Sequence, residues 1–145
     1  MKKIGTKMMF ANERLIDLMT VYDKCMEECK YIRMDDIYKK VVNMPSSRFW
    51  VSDTRATIVV SAIIRGDAKL DAMWALRKEM YLEIYNRVME LKKTKPNVSI
   101  SELCSIVVAM PAPKFYLTPD SAKIMICKAR PKWKREKLLK LQRLL

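Results

Sequence analysis

The densest group of side chains that could do chemistry is a run of lysines and arginines near the end of the sequence. Between Lys128 and Arg143 the one acidic residue is Glu136. The basic residues of this run are Lys128, Arg130, Lys132, Lys134, Arg135, Lys137, Lys140 and Arg143. A basic side chain that pairs with a phosphate releases a condensed counterion, so the run favours binding to nucleic acid. An acidic membrane surface, an acidic partner and a merely solvated basic face are the alternatives.

A second candidate is a basic–aromatic element that occurs twice. Arg48-Phe49-Trp50 in the first half matches Lys114-Phe115-Tyr116 in the second. In one interpretation Arg48 and Lys114 bind phosphate and an exposed ring stacks on an unpaired base. In the other interpretation the phenylalanines fill the core and the two basic residues point to solvent. We favour the core for the phenylalanines, and both interpretations stay open for Arg48 and Lys114.

The composition argues against the common catalytic sites. The chain has no histidine, which removes Ser-His and Cys-His nucleophile pairs and histidine metal ligands. Two glycines are too few for a Walker loop or a dinucleotide fingerprint. Carboxylates at Asp35-Asp36 and between Asp67 and Asp71 could hold magnesium, but helix N-terminal and surface charge explains them better. We therefore expect a protein that is not an enzyme and has no catalytic residue, cofactor or metal site.

The four cysteines, Cys25, Cys29, Cys104 and Cys127, are predicted to be reduced, buried apolar residues. The sequence shows no secretory signal and no apolar run of about 20 residues that would span a membrane. These features predict a cytoplasmic protein with no membrane span.

An internal repeat with an offset of 66 residues sets the frame for the candidate residues. Residues 41–52 (VVNMPSSRFWVS) match residues 107–118 (VVAMPAPKFYLT) without a gap. Of the twenty positions from Val41 to Val60, seven are identical in the second copy, which chance rarely gives at one fixed offset.

Each copy is predicted to contain a long helix, a short helix, a proline-containing connector and a third helix. Caps and stops place the first three helices from Asn12 to about Lys30, from Asp35 to about Met44 and from Ser52 to Gly66. The next three span about 69–93, 99–110 and 118–131. Pro131 ends or kinks the sixth helix, and a basic helix follows. The predicted fold is all-α: two tandem three-helix repeats, 11–76 and 77–131, and a basic C-terminal helix, 132–145, in one compact domain.

The short helix, connector and third helix partly resemble a helix-turn-helix arrangement, in which the later helix enters the major groove. The connector, residues 45–51, is longer than the usual turn of three or four residues. An aspartate in the first turn of each third helix would repel phosphate, which argues against the simplest docking. If the third helices do bind DNA, the basic residues on or beside their exposed faces are Arg55, Arg65, Lys123, Lys128 and Arg130.

The net charge of +13 is concentrated in the second copy. Residues 77–145 hold sixteen basic and six acidic residues, whereas residues 11–76 hold ten of each. A short duplicated helical protein with Met-Pro-x-x-[Arg/Lys]-Phe-aromatic elements, here at Met44 and Met110, is similar to small uncharacterised proteins of phages and mobile elements. That resemblance implies a phage or mobile-element role and assigns no functional residue.

Taken together, these features predict a DNA-binding protein that is not an enzyme, with DNA favoured over RNA, such as a regulator or packaging accessory. The alternative is a structural or adaptor protein that forms helical assemblies, including a homo-oligomer. The candidate nucleic-acid-binding residues are Arg48, Arg55, Arg65, Lys114, Lys123, Lys128, Arg130, Lys132, Lys134 and Arg135.

Overall fold

The computed structural model describes residues 6–31 and 33–144. In these residues the chain forms six α-helices and no β-strand of a sheet, which confirms the all-α prediction. The helices are α1 (Thr6–Glu28), α2 (Met34–Val42), α3 (Asp53–Arg65), α4 (Ala75–Thr94), α5 (Ile100–Val108) and α6 (Pro119–Leu144), with a short 3-10 turn at Leu70–Ala72.

Several helix ends lie where the sequence predicts them. The Ser52 hydroxyl accepts a hydrogen bond from the backbone N–H of Arg55, and Ser99 accepts one from Glu102 in the same way, so both serines cap their helices. The Thr118 hydroxyl accepts the backbone N–H of Ser121 at the start of α6. Gly66 ends α3 with φ of 79°, a left-handed conformation that glycine adopts without a steric penalty.

Three predicted boundaries are wrong. α1 begins at Thr6 and runs through Asn12, which therefore is not its cap. α4 begins at Ala75 rather than near Lys69, because a 3-10 turn and a short extended stretch come first. α6 does not end at Pro131, so the basic segment is the second half of α6 rather than a separate helix. A proline inside a helix costs about 3 kcal/mol, and packing of Ile126 and Trp133 on the same core, one on each side of Pro131, offsets that cost.

The helices form two groups, each around its own core. α1, α2 and α6 pack together around Leu18, Ile37 and Ile126. α3, α4 and α5 pack together around Val60, Ile84 and Leu103. Each group therefore combines two helices that are consecutive in the chain with one that comes from the other half.

The two connectors cross between the groups, and each carries one phenylalanine into a core. Phe49 is buried in the α3–α4–α5 core and Phe115 in the α1–α2–α6 core, which confirms the predicted core role of both. Ser46 and Ala112 pair through two backbone hydrogen bonds of 3.0 and 2.9 Å at the crossing. These bonds satisfy buried backbone groups and hold the two groups together.

Candidate functional site

Three basic residues form a stripe along α6, which we call the α6 basic stripe: Lys128, Lys132 and Arg135. Their spacing of three and four residues puts them on one face of the helix. All three are exposed. Lys132 lies 3.9 Å from the carboxylate of Glu136, at the limit of an ion pair, and both side chains are largely exposed. Exposed pairs of this kind neutralise little charge, so the stripe keeps its positive potential.

Asp23 of α1 anchors the second half of α6 to the rest of the molecule. Its Oδ2 accepts a hydrogen bond from Trp133 Nε1 at 2.8 Å and another from Lys137 Nζ at 2.9 Å. Every described residue after Trp133 is exposed. The anchor therefore fixes the direction of the helix while its last turns, with Lys140 and Arg143, stay open to solvent.

The other predicted residues of α6 lie on a different face of the helix from the stripe. Lys123 and Lys134 are exposed, and Arg130 is half-buried. Near Arg130, the hydroxyl of Tyr38 lies 3.6 Å from Cys127 Sγ, and burial raises the pKa of Tyr38 to about 12. Six of the ten predicted residues therefore share one helix.

Arg48 is occupied by partners inside the molecule. Its guanidinium lies over the rings of Phe10 and Trp50, at 4.5 and 5.6 Å from their centroids. Its Nε and Nη2 donate to the carbonyl oxygens of Phe49 and Val51 at 3.1 and 3.3 Å. Neither of the two interpretations that the sequence left open describes this arrangement, because Arg48 ties the connector to the start of α1.

Lys114 has the corresponding position in the other connector and is also occupied. Its Nζ forms an ion pair of 2.6 Å with Glu79 and lies 5.6 Å from the ring centroid of Tyr116. Burial, followed by the charges of Glu83 and Glu79, raises the pKa of Tyr116 to about 12. A phosphate would have to compete with Glu79 for Lys114.

The two predicted residues of α3 lie near opposite ends of that helix. Arg65 is exposed and lies 3.5 Å from the carboxylate of Asp67. Arg55 lines a cleft of about 720 Å³ at the beginning of α3, and no residue of α6 lines that cleft. The structure thus separates the α3 candidates from the α6 candidates.

Two arginines that were not among the predicted binding residues line the same cleft. Arg14 of α1 and Arg77 of α4 line it with Arg55, and Phe10, Trp50 and Met80 contribute apolar walls. No two of these arginines share a helix, so no spacing motif could have found them. We call the cleft lined by Arg14, Arg55 and Arg77 the arginine cleft.

The cysteines are free, and their burial differs from the prediction. Cys25 and Cys104 are buried, whereas Cys29 is half-buried and Cys127 is exposed. Burial raises the pKa of the Cys25 and Cys104 thiols. The prediction that all four are buried is wrong for Cys127, which is exposed although its Sγ lies 3.6 Å from the Tyr38 hydroxyl, and Cys29 meets it only in part.

The described residues contain neither a metal-binding cluster nor a membrane-spanning helix. Nowhere in 6–31 and 33–144 do three or more His, Cys, Asp or Glu side chains gather to hold a metal ion. None of the helices in these ranges has the length and apolar character needed to cross a membrane.

Comparison with known proteins adds no family to this geometry. The chain matches no protein-family model, no curated protein and no solved structure. The functions of the α6 basic stripe and the arginine cleft therefore have to be inferred from their residues.

Proposed function

We propose that this protein binds nucleic acid, duplex DNA in the first place, through the α6 basic stripe, and that it is not an enzyme. The observation that carries the proposal is a row of exposed basic side chains on α6 whose one ion pair among the described residues, Lys132–Glu136, is long and exposed. Each lysine or arginine that contacts a phosphate contributes affinity through counterion release.

The dimensions of the stripe suit a phosphate backbone. From Lys128 to Arg135 the helix rises about 10 Å, a length over which one strand of B-DNA carries roughly three phosphates. Asp23 supports this contact because its bonds to Trp133 and Lys137 leave the stripe turned towards solvent. A rigid support reduces the ordering cost of binding.

The stripe favours contacts to phosphates over reading of bases. Its residues are lysines and an arginine, which bind the phosphates of any sequence. The stripe has no asparagine or glutamine to pair with adenine, so guanine is the one base that its side chains are suited to read. The start of α3 is poorly suited to enter a DNA groove, because Asp53 in its first turn would repel phosphate. The Oδ2 of Asp53 accepts a hydrogen bond from Ser105 of α5. We therefore expect affinity with weak sequence preference, and a regulatory or packaging role in a phage or mobile element belongs to the same proposal.

A mobility-shift assay on duplex DNA at low salt tests this function. The variant Lys128→Glu/Lys132→Glu/Arg135→Glu changes the net charge by −6. A matched control, Lys69→Glu/Lys93→Glu/Lys95→Glu, makes the same change at exposed positions outside α6. We expect the stripe variant to lose binding and the control to keep most of it. No binding by the unaltered protein, or equal losses in both variants, would contradict the proposal.

We further propose that the chain is a tandem duplication whose halves exchange their third helices. Two backbone hydrogen bonds support this, because their donors are 66 residues apart in the sequence and so are their acceptors. The N–H of Phe49 donates to Val108 at 3.0 Å, and the N–H of Phe115 donates to Val42 at 3.1 Å. This reciprocity is what a two-fold relation within one chain produces.

Only one copy would carry the DNA-binding surface. The positions 66 residues before Lys128, Lys132 and Arg135 are Ala62, Gly66 and Lys69. One copy thus binds, and the other supports the fold.

The alternative function, assembly through helices, is favoured by exposed leucines near the end of α6. Leu138, Leu141 and Leu144 are exposed by 60, 58 and 83%, and their spacing of three residues puts them along one side. Exposed apolar side chains in a row indicate a protein contact. Sedimentation analysis of the unaltered protein and of Leu138→Ser/Leu141→Ser separates the two functions. An oligomer that dissociates in the variant, without DNA affinity, would favour assembly.

A further inference from the structure

We infer that the arginine cleft is a binding site for a nucleotide, with its phosphate on the arginines and its base against the apolar wall. The cleft lies where the first halves of α1, α3 and α4 meet, and its volume of about 720 Å³ is in the range of small-ligand sites. The inference does not depend on DNA binding by α6, because the cleft and the α6 basic stripe share no residue.

The charge of the cleft points to an anion. Arg14, Arg55 and Arg77 line it, and its lining contains no carboxylate. Within the part of the chain that the structure describes, none of the three forms an ion pair. A planar guanidinium can donate two parallel hydrogen bonds to the oxygens of one phosphate, so a cleft lined by three arginines suits a phosphate group.

Three carboxylates on the helices that form the cleft have partners other than its arginines. Asp17 accepts hydrogen bonds from Ser46 and Ser47. Asp53 accepts from Ser105, and Glu79 pairs with Lys114. The positive charge of the cleft is therefore free to act on a ligand.

Arg14 supplies a second, independent observation. Its Nε is buried and has no hydrogen-bond partner, and burial lowers the pKa of this guanidinium. A buried donor without an acceptor destabilises a protein, so such donors are rare and call for a specific cause. This Nε is closed off from the cleft, so an anionic oxygen bound there would contact the other N–H groups of the same guanidinium and offset part of the cost of burying its charge.

The apolar wall is held in place before any ligand binds. The rings of Phe10 and Trp50 lie 6.3 Å apart and share the guanidinium of Arg48. Trp50 Nε1 also donates to Ser46 Oγ at 2.8 Å. A wall of aromatic rings and Met80 beside three arginines suits a ligand that joins a planar base to phosphate.

Calorimetric titration with ATP, AMP and inorganic phosphate tests the site. The protein used carries Lys128→Glu/Lys132→Glu/Arg135→Glu, so that the stripe contributes nothing. Adding Arg55→Gln/Arg77→Gln should weaken ATP binding by about tenfold or more, because hydrogen bonds from charged donors are lost. Arg65→Gln, on the same helix α3 but outside the cleft, is the matched control and should change little.

A second variant separates binding from folding. Arg14→Met removes the buried donor that lacks a partner, so we expect the melting temperature to be unchanged or higher while ATP binding weakens. Oligonucleotides with a 5′-phosphate or a 5′-hydroxyl distinguish a free nucleotide from the end of a strand. A preference for the 5′-phosphate that Arg55→Gln/Arg77→Gln removes would identify a strand end as the source of the phosphate.

Three results would overturn the inference. The first is that neither ATP, AMP nor the 5′-phosphorylated strand binds at low salt. The second is that Arg65→Gln weakens binding as much as Arg55→Gln/Arg77→Gln does. The third is that AMP binds no tighter than inorganic phosphate. If this inference fails while the mobility shift by α6 persists, the DNA-binding proposal is untouched.

Discussion

Replacement of Asp23 by alanine removes the anchor of α6. In the folded protein one carboxylate oxygen, Oδ2, accepts from both Trp133 Nε1 and Lys137 Nζ. The hydrogen bond from the indole N–H of Trp133 is partly buried. In Asp23→Ala, water can therefore replace the lost carboxylate only in part. We expect Asp23→Ala to destabilise the protein and to loosen the second half of α6.

The expected loss of stability is about 2 kcal/mol. A hydrogen bond to a charged group contributes about 1.5–3 kcal/mol, and the exposure of the Trp133 contact places it at the lower end. The Lys137–Asp23 ion pair is 51% exposed on the lysine side, which limits it to about 0.5 kcal/mol. With a urea m-value of about 2 kcal/mol/M, the unfolding midpoint falls by about 1 M.

Urea unfolding followed by circular dichroism measures this change. Glu27→Ala, at an exposed position of the same helix, is the control and should shift the free energy of unfolding by less than about 0.5 kcal/mol. In a Trp133→Phe background, Asp23→Ala should lower the free energy of unfolding only by the contribution of the Asp23–Lys137 ion pair, about 0.5 kcal/mol. Equal midpoints for Asp23→Ala and Glu27→Ala would refute the anchoring role of Asp23.

Three further predictions follow from single residues. Gly66→Ala should lower the free energy of unfolding by about 1 kcal/mol, because φ of 79° strains an alanine although a Cβ meets nothing within 4 Å; thermal unfolding measures this, and an unchanged melting temperature would contradict it. Tyr38 and Tyr116 have pKa values raised from 10.0 to about 12 in the fold, so their contribution to stability is full below pH 10 and is lost as the pH rises towards 12. The double Tyr→Phe variant should flatten this alkaline loss in urea unfolding, and identical pH profiles would contradict the burial of both hydroxyls. In the native protein, exposed Cys127 should react first with a thiol reagent, and buried Cys25 should react only after unfolding. Equal reaction rates of the two thiols in the native protein would contradict the exposure of Cys127 and the burial of Cys25.

Local signals in the sequence were sufficient for most helix ends. The caps at Ser52 and Ser99 depend on a hydroxyl and a backbone N–H three residues later. The end of α3 depends on the conformation of one glycine, Gly66. Interactions confined to one turn are visible in the order of residues, which is why these predictions were confirmed.

Predictions failed where packing outweighs a local rule. The helix does not end at Pro131, because Ile126 and Trp133 pack on the same core on both sides of it. The crossing of the connectors, which sends Phe49 into one core and Phe115 into the other, also depends on contacts between distant segments. No local sequence pattern reveals this crossing.

The candidate site was predictable in part for the same reason. The spacing of Lys132 and Arg135 lies within the predicted basic helix, but their alignment with Lys128 requires a helix that continues through Pro131. The arginine cleft does not, because the three helices that form it meet only in the folded chain. The internal partners of Arg48 are likewise set by where α1 packs.

The salt dependence of DNA binding tests the central claim most directly. Fluorescence anisotropy with a labelled duplex gives the slope of log K against log salt for the unaltered protein and for Lys128→Glu/Lys132→Glu/Arg135→Glu. If the stripe contacts three phosphates, the slope should become less steep by about 3 in the variant. An unchanged slope, or affinity that does not respond to salt in the unaltered protein, would contradict phosphate binding by α6.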